Sequence, residues 1–236
     1  MVIRRGLTVT SAALLLVLAV SACSGADDEP VAEPSASATA SASAEPTPEP
    51  TPLALSDLVV SAAGLGPVLV GEPVAGSSDV AALMTWDETG CSSTDEPRTA
   101  GEPFAGRWES VFSTSPDDRD FQVVTSDGLE SGAVSRIVVE SPDISTSEGI
   151  RVGSTRDEVV AAFPDAVVLG EPGTSTVYAV EGTSGTMAIE VATDFADLPG
   201  YWAPEEIDTV RWIVVTDSAT EARPIAGTDG AGSCPV

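Results

Sequence analysis

The chain has 236 residues, with 37 Asp and Glu against ten Arg, no Lys and no His, and a formal net charge of −27 at pH 7. A charge of that sign repels nucleic acid and anionic membrane surfaces, so neither is an expected partner. Without His and Lys there is no Ser-His-Asp or Cys-His nucleophile, no histidine zinc ligand and no Schiff-base lysine. The sequence calls for no cofactor and no metal.

Arg4 and Arg5 open the chain, and the uncharged run Leu7 to Val20 follows. It is too short to cross a bilayer comfortably, which takes about 20 apolar residues. It has the layout of a signal peptide. Val20-Ser21-Ala22-Cys23 closes it with small residues and a thiol, and this resembles the bacterial lipobox. The resemblance implies cleavage after residue 22, lipidation of Cys23 and anchoring to the extracytoplasmic face of the cell membrane. Two or more acyl chains are needed for stable anchoring, and lipoproteins of this kind carry at least two. The alternative is an ordinary secretory signal with a chance cysteine. All 37 acidic residues lie after Cys23 and two of the ten arginines before it, so the processed chain would carry −29, eight basic against 37 acidic.

Residues 23–53 are almost entirely Ala, Ser, Thr, Pro, Asp and Glu, with Pro30, Pro34, Pro46, Pro48, Pro50 and Pro52 spaced along them. Such a segment cannot bury enough apolar surface to offset its ordering entropy. It is expected to be a disordered linker, and at about 3.1 Å per residue it would reach at most about 90 Å. It serves either as a stalk that lifts a domain away from the membrane or as a plain spacer.

The remainder is long enough for one ordinary domain or two small ones. Two stretches, 54–145 and 146–236, show similar order. In the first, Gly66-Pro67-Val68-Leu69-Val70-Gly71 precedes a helix capped by Ser77 or Ser78 and running through Val80, Leu83, Met84 and Trp86. Strands are expected at Ser110–Ser113, Phe121–Thr125 and Val134–Glu140. The acidic Ser115-Pro116-Asp117-Asp118-Arg119-Asp120 lacks the ligand spacing of an EF-hand and is expected to be a solvated turn.

The second stretch is cleaner. Ile150-Arg151-Val152-Gly153 leads to Thr155 as an N-cap, with Glu158 three residues on as its capping-box partner. Val159, Val160 and Phe163 give the apolar side, and Pro164 ends the helix. A helix that short needs a surface to pack on. Strands at Thr176–Val180 and Thr186–Ala192, joined by the turn Gly182-Thr183-Ser184-Gly185, are expected to provide it, with a third at Val210–Thr216. Val134, Ile137, Val138 and Val139 match Val210, Ile213, Val214 and Val215 in spacing.

Gly153-Ser154-Thr155-Arg156-Asp157-Glu158-Val159, followed by an antiparallel sheet, resembles the small outer-membrane assembly lipoproteins (SmpA/BamE). It also resembles the β-lactamase inhibitor proteins, which carry two such units in tandem. The resemblance implies an α+β fold of two tandem units, each a short capped helix on an antiparallel β-sheet, and a role in protein recognition. Inhibitory contacts cannot be carried over, and the disulfide pattern departs from one bridge per unit.

Cys91 and Cys234 remain after Cys23. In an oxidising compartment a pair invites a disulfide, which would clip the tail Asp229-Gly230-Ala231-Gly232-Ser233 to the body. The alternative is two buried or reactive thiols. Tyr201 and Trp202 stand together in the loop Leu198-Pro199-Gly200-Tyr201-Trp202-Ala203-Pro204, either as binding anchors or folded back as a lid over the sheet edge. The expected function is a lipid-anchored binding module for a protein or cell-envelope ligand, not an enzyme. A carboxylate-dependent cell-envelope hydrolase is the alternative. Two close carboxylates in a cleft, one with a raised pKa, would mark the hydrolase.

Overall fold

Alternating apolar residues build this protein as strands rather than as helices on a sheet. The computed structural model describes residues 53–74, 78–92, 97–113, 119–169, 173–218, 222, 224, 225 and 234. The expected signal peptide, Cys23, the linker to residue 52, Ser77, Ser115–Asp118 and the glycine-rich 229–233 lie outside the described residues. No helix among the described residues is long and apolar enough to cross a membrane.

A 3-10 turn, Leu55–Asp57, leads into three short strands, β1 Val59–Ser61, β2 Gly64–Leu65 and β3 Val68–Leu69. A single helical turn, α1 Ser78–Ala81, precedes β4 Met84–Asp87, β5 Arg107–Ser110, β6 Phe121–Thr125 and β7 Val134–Val139. Then come β8 Ser145–Thr146, α2 Arg156–Ala162, β9 Val167–Leu169, β10 Ser175–Glu181, β11 Gly185–Ala192 and β12 Val210–Asp217. Eight strands form one sheet in the order β4-β5-β6-β7-β12-β11-β10-β9, and four form a small sheet, β3-β2-β1-β8.

The expected α+β fold of two tandem helix-on-sheet units is therefore wrong, and the fold is mostly β. Two physical reasons account for the difference. The first expected helix stops after four residues, at Ala81. From Met84 the chain is extended, and Trp86 pairs across strands with Trp108. The spacing of Val80, Leu83, Met84 and Trp86 imitates a helical face, but Thr85 and Trp86 favour a strand, and Met84–Asp87 gains a ladder to β5. Second, the two groups of strands do not make separate sheets. β7 and β12, the segments with matching sequence, pair with each other antiparallel through Val139↔Ile213, Val138↔Val214 and Ile137↔Val215. A four-strand meander thus continues on each side of one central seam.

The core lies on one face of the large sheet, here the inner face. Phe121, Ile137, Ile189 and Ile213 are fully buried there, against Val60, Leu65 and Val68 of the small sheet. Val159 of α2 enters the same cluster, with Ala162 and Phe163 partly buried beside it. The capping box of α2 forms as expected: Glu158 N–H donates to Thr155 Oγ1 at 3.3 Å, and Thr155 N–H donates to Glu158 Oε2 at 2.7 Å. Gly153 before it has φ +88°, a conformation that side chains rarely adopt. Arg156, the first helical residue, ties α2 to the sheet. Its guanidinium donates to Asp208 Oδ1 at 2.7 Å and to Tyr178 Oη at 3.1 Å.

Candidate binding face

Strand alternation sends every second side chain to the opposite, outer face of the large sheet. A small apolar cluster sits there: Val138, Val177, Ala188 and Val214, joined by Ile225 from beyond β12, with Trp212 and Ala222 packed against them. Around it stand polar side chains that are nevertheless buried. Gln122 is 0% exposed and Glu190 is 1% exposed.

Burying a carboxylate requires hydrogen bonds to it. Glu190 has them: Ser175 Oγ donates to Oε1 and the Ile225 N–H donates to Oε2, each at 2.5 Å. Gln122 Nε2 donates to Glu140 Oε1 at 3.0 Å, while Gln122 Oε1 has no partner. Glu140 is half-buried just past β7. Its pKa is raised, chiefly because burial disfavours the charged carboxylate. Arg119 and Arg107 oppose that shift, Glu109 reinforces it, and a hydrogen bond from Trp212 opposes it again. Arg107 also pairs with Glu109 at 2.5 Å.

The loop holding Tyr201 and Trp202 adjoins this face. Trp202 is half-buried and folded back: its indole N–H donates to the Thr174 carbonyl at 2.5 Å. Its ring lies 5.6 Å from that of Trp212, and the Arg211 guanidinium sits 5.4 Å from its centroid. Glu206 braces the loop, accepting from the Ala203 N–H at 2.9 Å and pairing with Arg211 at 2.7 Å. Tyr201 meets Trp202 edge-on at 4.9 Å and is 47% exposed. One aromatic of the pair is thus a lid and the other is displayed on it.

Cys91 and Cys234 form a disulfide, with Cα atoms 5.5 Å apart across 143 residues. Trp212, in the middle of β12, is half-buried and packs on the outer face. The buried Gln122 and Glu190, and the half-buried Glu140 beside them, were missed from sequence. Their only signal is a lone polar residue inside an apolar strand, as in Phe121-Gln122-Val123 and Ile189-Glu190-Val191.

A cavity of about 500 Å³ opens elsewhere, lined by Trp86, Glu88, Glu102, Leu129 and Glu130 among others. Glu140, the carboxylate with the raised pKa, does not line it. Among the described residues, no three Cys, Asp or Glu side chains gather in a metal-holding group.

Comparison with protein families and with curated proteins finds no match. Among solved structures, the chain is similar to the uncharacterized protein yfeY from Escherichia coli. The two share 17% identity and a TM-score of 0.39, over 67% of this chain and 99% of that one. A likeness of that size assigns this chain neither a fold nor a function.

Proposed function

We propose that this chain is a lipid-anchored extracytoplasmic module that binds a protein or cell-envelope ligand through the Tyr201 loop, without catalysis. The observation that carries it is the displayed Tyr201, held edge-on by a Trp202 that is itself fixed by Thr174, Trp212 and Arg211. An exposed aromatic on a rigid support loses little entropy on binding and offers large contact area, which is why Tyr and Trp dominate binding hot spots. The test is a photo-crosslinking residue at position 201 in intact cells, with the same group at exposed Glu88 as control. A discrete product at 201 that is absent at 88 is expected. No product, or the same products at both positions, would count against the loop.

The anchor rests on Arg4, Arg5 and the Val20–Cys23 segment. Cys23→Ser is expected to move the protein from the membrane fraction to the soluble one.

A second reading, a carboxylate-dependent hydrolase, draws on Glu140 with its raised pKa near Glu109. Against it, Glu140 is engaged by Gln122 and Trp212 and does not line the cavity. Hydrolysis of envelope glycans abolished by Glu140→Gln, in a variant that remains folded, would favour this second reading.

A further inference from the structure

The cavity of about 500 Å³ has an aromatic wall, Trp86 of β4, and that wall is fixed in place. Trp86 is half-buried and lies directly across from Trp108 of β5, whose ring meets it edge-on at 5.5 Å. Gly106 packs so closely against the Trp86 ring that a Cβ there would run into it. The glycine therefore seats the ring, and any side chain at 106 would displace it. Leu129 is fixed as well: its N–H donates to Asp127 Oδ1 at 3.0 Å, and its carbonyl accepts from Thr125 Oγ1 at 2.8 Å. The loop that carries Glu102 is tied to the loop that carries Leu129 by the Phe104 N–H, which donates to the Asp127 carbonyl at 3.1 Å. Walls held in this way cost little to order around a ligand.

The chemistry of the lining is one-sided. Glu88, Glu102 and Glu130 contribute carboxylates, and among the described lining residues there is no Arg. Carboxylates alone would be an ordinary solvated surface; here they stand around an apolar, aromatic hollow. Among the described residues they do not gather into a metal-holding group, whereas a bare calcium ion needs several oxygens converging to about 2.6 Å or less. The volume lies in the range of small-molecule sites. An aromatic ring attracts a cation through its quadrupole, most strongly when the ring is Trp. Carboxylates that do not converge still attract a charge through space and ask no hydrogen bond of it.

We propose that this cavity is a binding site for a small alkylated ammonium ion, packed on the Trp86 ring and neutralised by Glu88, Glu102 and Glu130. Such a cation has an apolar shell, which suits Trp86 and Leu129, and a diffuse charge, which suits carboxylates spread around it. An anion of the same size is repelled by the three glutamates. A neutral molecule of the same shape gains only the apolar contact.

The test titrates the folded full-length protein with choline and, separately, with its uncharged isostere, in which a carbon replaces the nitrogen. Indole and backbone amide signals are followed by NMR. Choline is expected to shift the Trp86 indole and the Gly106 and Leu129 amides saturably, and to bind at least tenfold more tightly than the isostere. The Trp202 indole should not move. Trp86→Leu keeps an apolar wall without the quadrupole; it should weaken choline at least fivefold and leave the isostere within twofold. Trp86→Phe should keep most of the preference. Glu88→Gln and Glu130→Gln, both at exposed positions, should each weaken choline at least twofold without loss of fold. Equal binding of choline and its isostere overturns the cationic ligand, as does choline binding unchanged in the glutamate variants. No saturable shift at Trp86, or an equal shift at Trp202, overturns the site. A cation of this size gives no protein-sized product at position 88, so this site and the Tyr201 loop stand or fall separately.

Discussion

The two faces of the large sheet solve different problems with the same strands. The inner face carries the large apolar core and is covered by the small sheet and the helices. Most of its side chains need only shape and hydrophobicity. The outer face carries a smaller apolar cluster, a fully buried carboxylate and amide, and the aromatic loop. Buried polar groups do not make a cheap core, since each must be matched in the fold. The inner face therefore carries stability, and the outer face carries placement of Ile225 and of Tyr201.

Substitutions that separate the faces should differ in size and kind. The largest loss is expected on the inner side: Phe121→Ala removes a fully buried ring and should cost about 3–5 kcal/mol in urea unfolding. Glu190→Ala should cost less, about 1–3 kcal/mol, by leaving the Ile225 N–H and Ser175 hydroxyl without their acceptor. Amide exchange should show that loss concentrated at Ile225. A uniform loss across the sheet would erase the distinction between the faces.

Thr155→Ala should cost about 1 kcal/mol by removing the cap of α2. Thermal melts of this variant sharpen the comparison, because α2 packs on the inner face.

Glu140 contributes a pH dependence. Its folded pKa is raised, so protonated Glu140 is the form the fold prefers. Its contribution is fully favourable below the ordinary glutamate value and is lost as pH rises through the raised one. Glu140→Gln should thus gain stability relative to the parent as pH rises from about 4 to 7, where the ordinary glutamate pKa is about 4.3. A difference that does not change with pH would place Glu140 in solvent. Glu158 works in the opposite sense. The Thr155 backbone and hydroxyl hydrogen bonds lower its pKa, so its contribution is present above the ordinary value and is lost as pH falls through the lowered one.

What the sequence showed follows the range of the interactions. The capping box at Thr155–Glu158 is local chemistry within three residues, and it was readable. So were β6, β10, β11 and β12, whose apolar residues recur along a single strand. The seam of Ile213 on Val139 joins residues far apart in the chain, and no local pattern encodes it. Two similar strand groups were therefore read as two units instead of one sheet. β2, β3 and β8 are two residues each, too short for a periodicity. The expected strand at Ser110–Ser113 lies earlier, at Arg107–Ser110, because Trp108 takes the inward position. Of the candidate site, Tyr201 and Trp202 were visible as neighbouring aromatics among prolines. Which was lid and which was displayed depends on Thr174, Trp212 and Arg211, which only the fold brings near.

Tyr201→Ala is expected to have the smallest effect on stability, within about 0.5 kcal/mol, since the residue is exposed. That makes it the most direct measurement of the division between the faces: urea unfolding of Tyr201→Ala alongside its binding to the partner captured through position 201. Unchanged unfolding with binding reduced at least tenfold is expected. Binding retained in the folded variant would contradict the role given to this loop.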